Sequence, residues 1–434
     1  MDDNVRGGKS ALLLSLNEDV AEIEELARTA GYEIVYEIVQ KRTRPEPNFY
    51  VGRGKVKEIA ELISESPVEA VIMNSEAKPS HHYNLESVLK AECLDRTRLI
   101  LDIFTTRANS KESKLQVEKA RLRYETPLLK EWIHNAKGGE HPGFMGGGEY
   151  AIDLYYDLIK KRIRSIDDEL LEIRRASDQK RARRERNEVF TVTLAGYTNA
   201  GKSSLMRALT GEEVLIEDRM FSTLSTTTRS LTGENVLIVD TIGFIRDLPH
   251  FMIESFRNTI EEVFYSDLIL LVIDVSEDVE SMEGKMKVSL DILLPRVERD
   301  KIIIILNKID NISYKNHYTN IKDMLIRTIG DSDAVLVSAK KGSGVDDLTD
   351  KIKKRFRRDV LISIKMPNNK RSQPAVSKIF DLCDVSKCEY SKTISISGRC
   401  HQIDVGKIRK IVSSLNGRVI EAADPAEGRP PQET

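Results

Sequence analysis

Short apolar runs alternate along this chain with stretches whose apolar residues return every three or four positions, the pattern of strands interleaved with amphipathic helices. Strands are predicted at 10–16 and 32–39 around a helix at 18–29 closed by Gly31, then a helix at 55–63, a strand at 70–73 and a helix at 85–91. Residues 1–108 thus read as a small α/β domain. The period then changes. Leu115, Leu122 and Leu129 lie a heptad apart, and after a glycine-rich interruption (Gly138, Gly139, Gly143 and 146–148) Ile152, Tyr156, Ile159, Ile163, Ile166, Leu170 and Ile173 alternate in steps of four and three. This is coiled-coil spacing, so 109–187 is predicted as an antiparallel helical hairpin with a glycine loop at its tip. From 188 to 358, buried strands at 189–194, 235–240, 301–306 and 334–337 each end in a polar loop. Strands at 361–365, 393–397 and 418–422 with helices at 376–382 and 405–415 predict a compact α+β appendage over 359–423. The Pro/Glu/Gly-rich stretch 424–434 is expected to be disordered.

The loops after the buried strands carry the candidate chemistry. Gly196-Tyr-Thr-Asn-Ala-Gly-Lys-Ser203 follows one strand and opens a helix at 204–209, the strand, glycine loop and helix of a P-loop. Gly196, Tyr197, Thr198, Asn199, Ala200 and Gly201 can turn backbone N–H groups toward phosphate oxygens. Lys202 should reach the β- and γ-phosphates, Ser203 should ligate Mg²⁺, and Ser204 completes the cradle. The strand at 235–240 ends in Asp240-Thr-Ile-Gly243, where Asp240 can hold the Mg²⁺ shell, Thr241 and Ile242 follow it, and the Gly243 N–H can sense a γ-phosphate. The third strand ends in Asn307-Lys308-Ile309-Asp310, whose carboxylate can accept from the N1–H and N2–H₂ edge of guanine, a donor pair that adenine lacks. The fourth ends in Ser338-Ala339-Lys340, whose backbone N–H can read the guanine O6. Four such motifs, in order at strand carboxyl ends, specify a GTP/GDP site in an α/β P-loop GTPase domain.

Length and charge add limits. A chain of 434 residues, 40% hydrophobic, holds several packed domains. Its net charge of −2 assigns any nucleic-acid affinity to local patches. Residues 160–186 hold 11 Lys/Arg against 6 Asp/Glu and end in Lys180-Arg-Ala-Arg-Arg-Glu-Arg186. A solvated helix face and an RNA-binding strip both fit that run. The Gly52-Arg53-Gly54-Lys55 turn at a helix start likewise fits either an RNA phosphate site or a plain loop. Cys93, Cys383, Cys388 and Cys400 are too few for a disulfide framework. The last three with His401 lack the tight Cys-x₂-Cys zinc knuckle, so reduced structural cysteines are expected. No segment approaches the ~20 apolar residues of a membrane span, and 11–14 is too short for a signal core. A cytoplasmic monomer is expected, with no DNA partner.

Beyond these readings, the chain resembles the HflX family of ribosome-associated GTPases, of the translation-factor-related class, over residues 10 to 357. The resemblance rests on Asp95-Arg-Thr-Arg-Leu-Ile-Leu-Asp-Ile-Phe-Thr-Thr-Arg-Ala108, on Leu115-Gln-Val-Glu-Lys-Ala120, on the P-loop run to Leu205, on Phe221-Ser-Thr-Leu224 with Thr227-Thr-Arg229, and above all on Asp240-Thr-Ile-Gly-Phe-Ile-Arg-Asp-Leu-Pro-His250. Two stretches depart from the family pattern. Gly146-Gly-Gly-Glu-Tyr-Ala151 stands where the family has Gly-Pro-Gly-Glu-Thr-Gln, and Ser225-Thr226 stands for its Asp-Pro in switch I. The resemblance implies GTP-gated binding to the large ribosomal subunit and its RNA, in splitting or rescue of ribosomes under stress. It also implies a switch I threonine closing over Mg²⁺ and the γ-phosphate, for which Thr223 aligns best and Thr227 or Thr228 is the fallback.

The residue after Gly243 is Phe244, where many GTPases carry a water-orienting Gln, so intrinsic hydrolysis is expected to be slow, with Lys202, Thr223 and Gly243 as the catalytic set. Asn199 stands where some GTPases lacking that Gln hold K⁺ against the phosphates. A plain loop cap is the alternative. Two functions stay open: a hydrolase that uses GTP as a timer for leaving the ribosome, and an RNA-binding module for which GTP is a conformational ligand.

Overall fold

The computed structural model describes residues 8–137, 146–186, 189–211, 220–221, 227–231, 236–241, 243–245, 249–312, 334–356, 359–369 and 372–422. Of the expected glycine-rich interruption, 138–145 lie outside them, whereas Gly146, Gly147 and Gly148 are helical rather than loop; the switch I candidate Thr223 and its neighbours Ser225 and Thr226, Ile242 and the tail beyond 423 also lie outside them.

The run Lys-Ser-Ala-Leu-Leu-Leu-Ser becomes β1 (Lys9–Ser15), with no polar alternation because both of its faces are covered. Ala11 and Leu13 point into one core and Leu12 and Leu14 into the other. Around it β2 (Tyr32–Val39), β3 (Ala70–Met73) and β4 (Glu92–Asp95) form a wholly parallel sheet in the order β2-β1-β3-β4. Helices α1 (Ala21–Thr29), α2 (Arg53–Glu65) and α3 (Pro79–Leu89) make the crossovers. The helix expected at 85–91 begins earlier, at Pro79, whose fixed φ suits a first turn. Two elements were not expected, β4 and α4 (Arg96–Arg107). Four residues of β4 are too few to show a period, and α4 buries Arg96 and Thr97 beside its apolar residues, which erases the amphipathic stripe. At their junction the fully buried Asp95 accepts from the Arg98 and Ala77 N–H groups and from the Tyr124 hydroxyl, tying two helices and the loop before α3 to one carboxylate.

Helices α5 (Lys111–Lys137) and α6 (Gly146–Arg186) run antiparallel. Lys111 pairs with Glu169, Lys119 with Asp167 and Arg162 with Glu118, and Leu115, Ile166 and Leu170 fill the seam between them.

The central sheet has the order β10-β9-β8-β5-β7-β6. It comprises β5 (Phe190–Gly196), β6 (Thr227–Ser230), β7 (Val236–Asp240), β8 (Leu268–Asp274), β9 (Ile302–Asn307) and β10 (Ala334–Leu336), with only β6 antiparallel. After β5 the chain lays β6 at the edge and β7 inside it on one side, then crosses to build β8, β9 and β10 outward on the other, so the carboxyl end of β5 is the topological switch point where ligands bind open α/β sheets. Helices α7 (Lys202–Thr210), α8 (His250–Ser255), α9 (Arg257–Phe264), α10 (Val279–Leu293) and α11 (Val345–Phe356) surround it. The first sheet's core extends into this unit through Met220, Phe221, Ile245, Met252 and Phe256, with Phe104 edge-on to Phe221 at 4.7 Å and to Phe256 at 4.9 Å.

The last unit is β11 (Asp359–Pro367), α12 (Ser372–Leu382), β12 (Cys383–Tyr390), β13 (Thr393–His401), α13 (Gln402–Ser413) and β14 (Arg418–Ala422). Its antiparallel sheet has the order β12-β13-β11-β14, a split βαβ arrangement with one strand more than expected. The extra strand, β12, is an edge strand that exposes Asp384, Lys387 and Glu389, so apolar periodicity could not reveal it.

Candidate nucleotide-binding site

The P-loop leaves β5 at Gly196, whose φ is +139° and where a Cβ would lie 2.3 Å from the Val272 carbonyl oxygen, so no side chain fits. Asn199 (φ +60°) and Gly201 (φ +90°) are left-handed, which curls the loop onto the amino end of α7. Lys202 is buried, and its ammonium donates to the loop's own carbonyls, Tyr197 O at 2.8 Å and Gly196 O at 3.2 Å. Burial pushes its pKa down to about 8, with nearby Asp240 pulling the other way. The Ser203 hydroxyl donates to Asp240 Oδ2 at 2.7 Å, bringing two hard oxygen donors together at the loop floor. Thr198 Oγ1 is buried with no hydrogen-bond partner among the described residues, an open polar atom in the P-loop.

The segment after β7 is zipped to this loop. Thr198 N–H donates to Phe244 O at 2.8 Å and Phe244 N–H to Gly196 O at 2.9 Å. Gly243 lies so close that a Cβ there would meet Lys202 Nζ and Thr198 Cα, both at 2.8 Å. The Phe244 ring packs in the apolar core with Tyr197 and Ala195 and turns away from the cradle. Thr241 faces away as well, its hydroxyl donating to Leu194 O at 2.8 Å. Thr227 and Thr228 are ladder residues of β6 opposite Asp240 and Val239.

On the other side of β5, Asn307 joins the loops: its amide donates to Ala200 O at 2.9 Å and its carbonyl accepts from the Ala339 N–H at 3.1 Å. Asp310 accepts from the Ser338 hydroxyl at 2.6 Å, the foremost cause holding its carboxyl below the usual range. The Ser338 N–H is committed to Ser343 O and the Ala339 N–H to Asn307, so the backbone donor available to a base oxygen is that of Lys340. Lys308, left-handed at φ +68°, pairs with Asp274 at 2.6 Å.

Three residues at the site escape the sequence reading. Asp274 ends the buried β8, a sequence signal of the same form as Asp240. Glu22 and Glu25 of α1 leave no signal, because two glutamates one turn apart on an exposed helix face are ordinary. Yet Asn199 Nδ2 donates to Glu25 at 3.1 Å, and the Tyr197 hydroxyl lies 3.5 Å from Glu22, itself paired with the buried Arg96 at 2.5 Å.

The basic end of α6 turns largely inward. Arg174 pairs with Glu261 of α9 at 2.8 Å, Arg184 lies 3.8 Å from Glu262, and the Arg181 guanidinium stacks 3.7 Å over the Tyr265 ring. The side chains of Arg183 and Arg186 lie outside the described set, while Arg175 and Lys180 are exposed. The Gly52 N–H is also taken, donating to Gln40 Oε1 at 2.9 Å.

Comparison with known proteins assigns all three blocks upstream of the last unit. Residues 17–105 match the family described as GTP-binding GTPase N-terminal, 107–184 the GTP-binding GTPase Middle Region, and 191–308 the 50S ribosome-binding GTPase. The chain is 38% identical over 412 residues to GTPase HflX of Thermococcus kodakarensis, covering 91% of each protein. It is 41% identical over 337 residues to GTPase HflX of Methanocaldococcus jannaschii, 77% of this chain and 82% of that one. Among solved structures, a GTP-binding protein from Sulfolobus solfataricus in complex with GDP aligns over 80% of this chain and 98% of its own, at 28% identity and a TM-score of 0.45. With the P-loop, the Asp240 segment and the Asn307 to Asp310 loop gathered at the switch point of one sheet, and relatives matching across most of the chain, this protein belongs to the HflX family of GTPases.

Proposed function

We propose that this GTPase binds Mg²⁺·GTP at the β5 switch point, associates with the large ribosomal subunit and its RNA in a nucleotide-dependent way, and uses hydrolysis to time its release during ribosome splitting or rescue under stress. The observation that carries this reading is the burial of the Phe244 ring beneath the P-loop. The side chain directly after Gly243 has no group that could orient a water, so the idle chain turns over slowly and stimulation is left to the partner and to a cation. The family description of 191–308 as a 50S ribosome-binding GTPase supports the partner.

In this reading Lys202 and the loop N–H groups bind phosphate, Gly243 senses the γ-phosphate, and Asp310 with the Lys340 N–H reads guanine. Ser203, Asp240 and Thr223 hold Mg²⁺, for which the adjoining Ser203 and Asp240 oxygens are a suitable donor pair. When bound, Mg²⁺ supplies positive charge to the phosphates. Residues 1–108, 109–187, 188–358 and 359–423 act as the N-terminal domain, hairpin, G domain and appendage.

Co-sedimentation with separated subunits, in GDP and in a non-hydrolysable GTP analogue, tests the association; pelleting with the large subunit in one nucleotide state only is expected. Multiple-turnover assays with and without that subunit test the timer, which requires a large stimulation. Tight GTP-dependent binding without stimulation would favour the RNA-binding module. The same assays in K⁺ and Na⁺ at matched ionic strength test Asn199, whose amide nitrogen is held by Glu25 and whose oxygen is the atom a cation needs. Faster turnover in K⁺, lost in Asn199→Ala, is expected; equal rates would remove K⁺ from the mechanism.

A further inference from the structure

Three of the four cysteines lie in the last unit, and two of those face each other. Cys383 begins β12 directly after α12, Cys400 lies near the end of β13, and the antiparallel register makes them Cα partners. Directly opposed residues of an antiparallel pair have Cα atoms about 4.5–5.5 Å apart, within the roughly 4.4–6.8 Å that a disulfide spans. Both side chains point to the helix-covered face, where Cys400 is 3% exposed and Cys383 is half-buried at the sheet edge. The Cys400 thiol donates to the Cys383 sulfur, and that hydrogen bond, the leading cause, lowers the Cys383 pKa against its partial burial and the Asp404 carboxylate. One thiol is thus reachable and biased toward thiolate, with a second, sheltered thiol already at its side.

The other two cysteines lack this arrangement. Cys93 is 3% exposed and burial drives its thiol pKa far up. Cys388 lies on the same strand as Cys383, five residues along, which in extended chain is about 16 Å away and out of bonding range.

We propose that Cys383 and Cys400 form a reversible oxidation site, with Cys383 the attacking and Cys400 the resolving thiol toward hydroperoxides. The Cys383 thiolate attacks one peroxide oxygen; the O–O bond breaks, the other oxygen leaves and is protonated to water, and Cys383 becomes the sulfenic acid. The Cys400 sulfur then attacks Cys383 Sγ; the S–O bond breaks and a second water leaves with the proton Cys400 gives up. Two thiols and one hydrogen peroxide yield one disulfide and two waters, the sulfurs losing the two electrons the peroxide gains. The product staples the edge strand β12 to β13 at the exit of α12.

The test treats the reduced full-length protein with hydrogen peroxide, blocks residual thiols, and maps peptides by mass spectrometry with and without later reduction. The expected result is a peptide linking Cys383 to Cys400, lighter by two hydrogens and restored by a thiol reductant, while Cys93 and Cys388 remain alkylatable. In Cys400→Ser the Cys383 sulfenic acid should persist and react with a dimedone probe, and Cys388→Ser should behave as the parent. The reading is overturned if Cys383 stays reduced, if it passes to sulfinic acid in the parent without the linked peptide, or if linkage occurs only between two molecules. The unsubstituted protein alone decides these outcomes, so a variant that fails to fold does not obscure them.

Discussion

Asp310 and Lys202 illustrate how one atom's surroundings set what a side chain can recognise. Asp310 is held as a carboxylate by the Ser338 hydroxyl, and on the proposed role its two oxygens accept from a base edge. Asp310→Asn exchanges one acceptor for a donor, so GTP affinity should fall on the order of 100-fold while xanthine nucleotide, whose C2 carbonyl accepts, gains. Titration with both nucleotides measures this, and unchanged GTP affinity would remove Asp310 from base reading. Lys202 makes a pH prediction. Its buried ammonium has a pKa pushed down to about 8, and on the proposed role phosphate binds the protonated form. Binding therefore takes up a proton above that pKa; affinity should be flat below about pH 8 and fall roughly tenfold by about pH 9. Calorimetry in buffers of different ionisation enthalpy reads the proton directly, and a flat profile would mean that burial does not depress this amine.

Helix α6 shows why a charge run does not declare its partner. Arg174 and Arg184 are held against α9 and Arg181 against Tyr265 just beyond it, leaving Arg175 and Lys180 as exposed cations of the same stretch. Neutralising Arg175 and Lys180 should flatten the salt dependence of ribosome binding by a slope of ~0.7–0.9 for each phosphate no longer neutralised, whereas neutralising Arg181 and Arg184 should leave it unchanged. Equal slopes in both variants would return the whole run to a solvated face. The same distinction governs what is legible in the sequence. The motifs at the ends of β5, β7 and β9 are readable because strand burial and loop chemistry are local, and the hairpin because its seam repeats. The short β4 and the charged edge strand β12 are not, since neither carries an apolar period, and the inward turn of the α6 arginines is not, since it depends on carboxylates and a ring remote in sequence.

Across the whole molecule, α1 brings two carboxylates to the P-loop from about 175 residues away in the chain, beside the proposed phosphate site. Glu25→Gln keeps an acceptor for the Asn199 amide and removes the charge, so nucleotide affinity should rise several-fold, on the order of 1 kcal/mol at a partly screened site. Fluorescent-nucleotide titration measures it, and unaltered affinity would mean that α1 and the nucleotide do not sense each other. The inward Phe244 ring carries a consequence of another kind, for descent. Replacing Phe with Gln there would bury an amide in an apolar core, at a cost of about 1–3 kcal/mol, and would still not aim it at the phosphates. If turnover is slow as proposed, that one substitution does not make a lineage with this packing a self-sufficient hydrolase. On the proposed function, the pace of hydrolysis is then tuned at the surface the partner contacts, and GTPase and partner drift together.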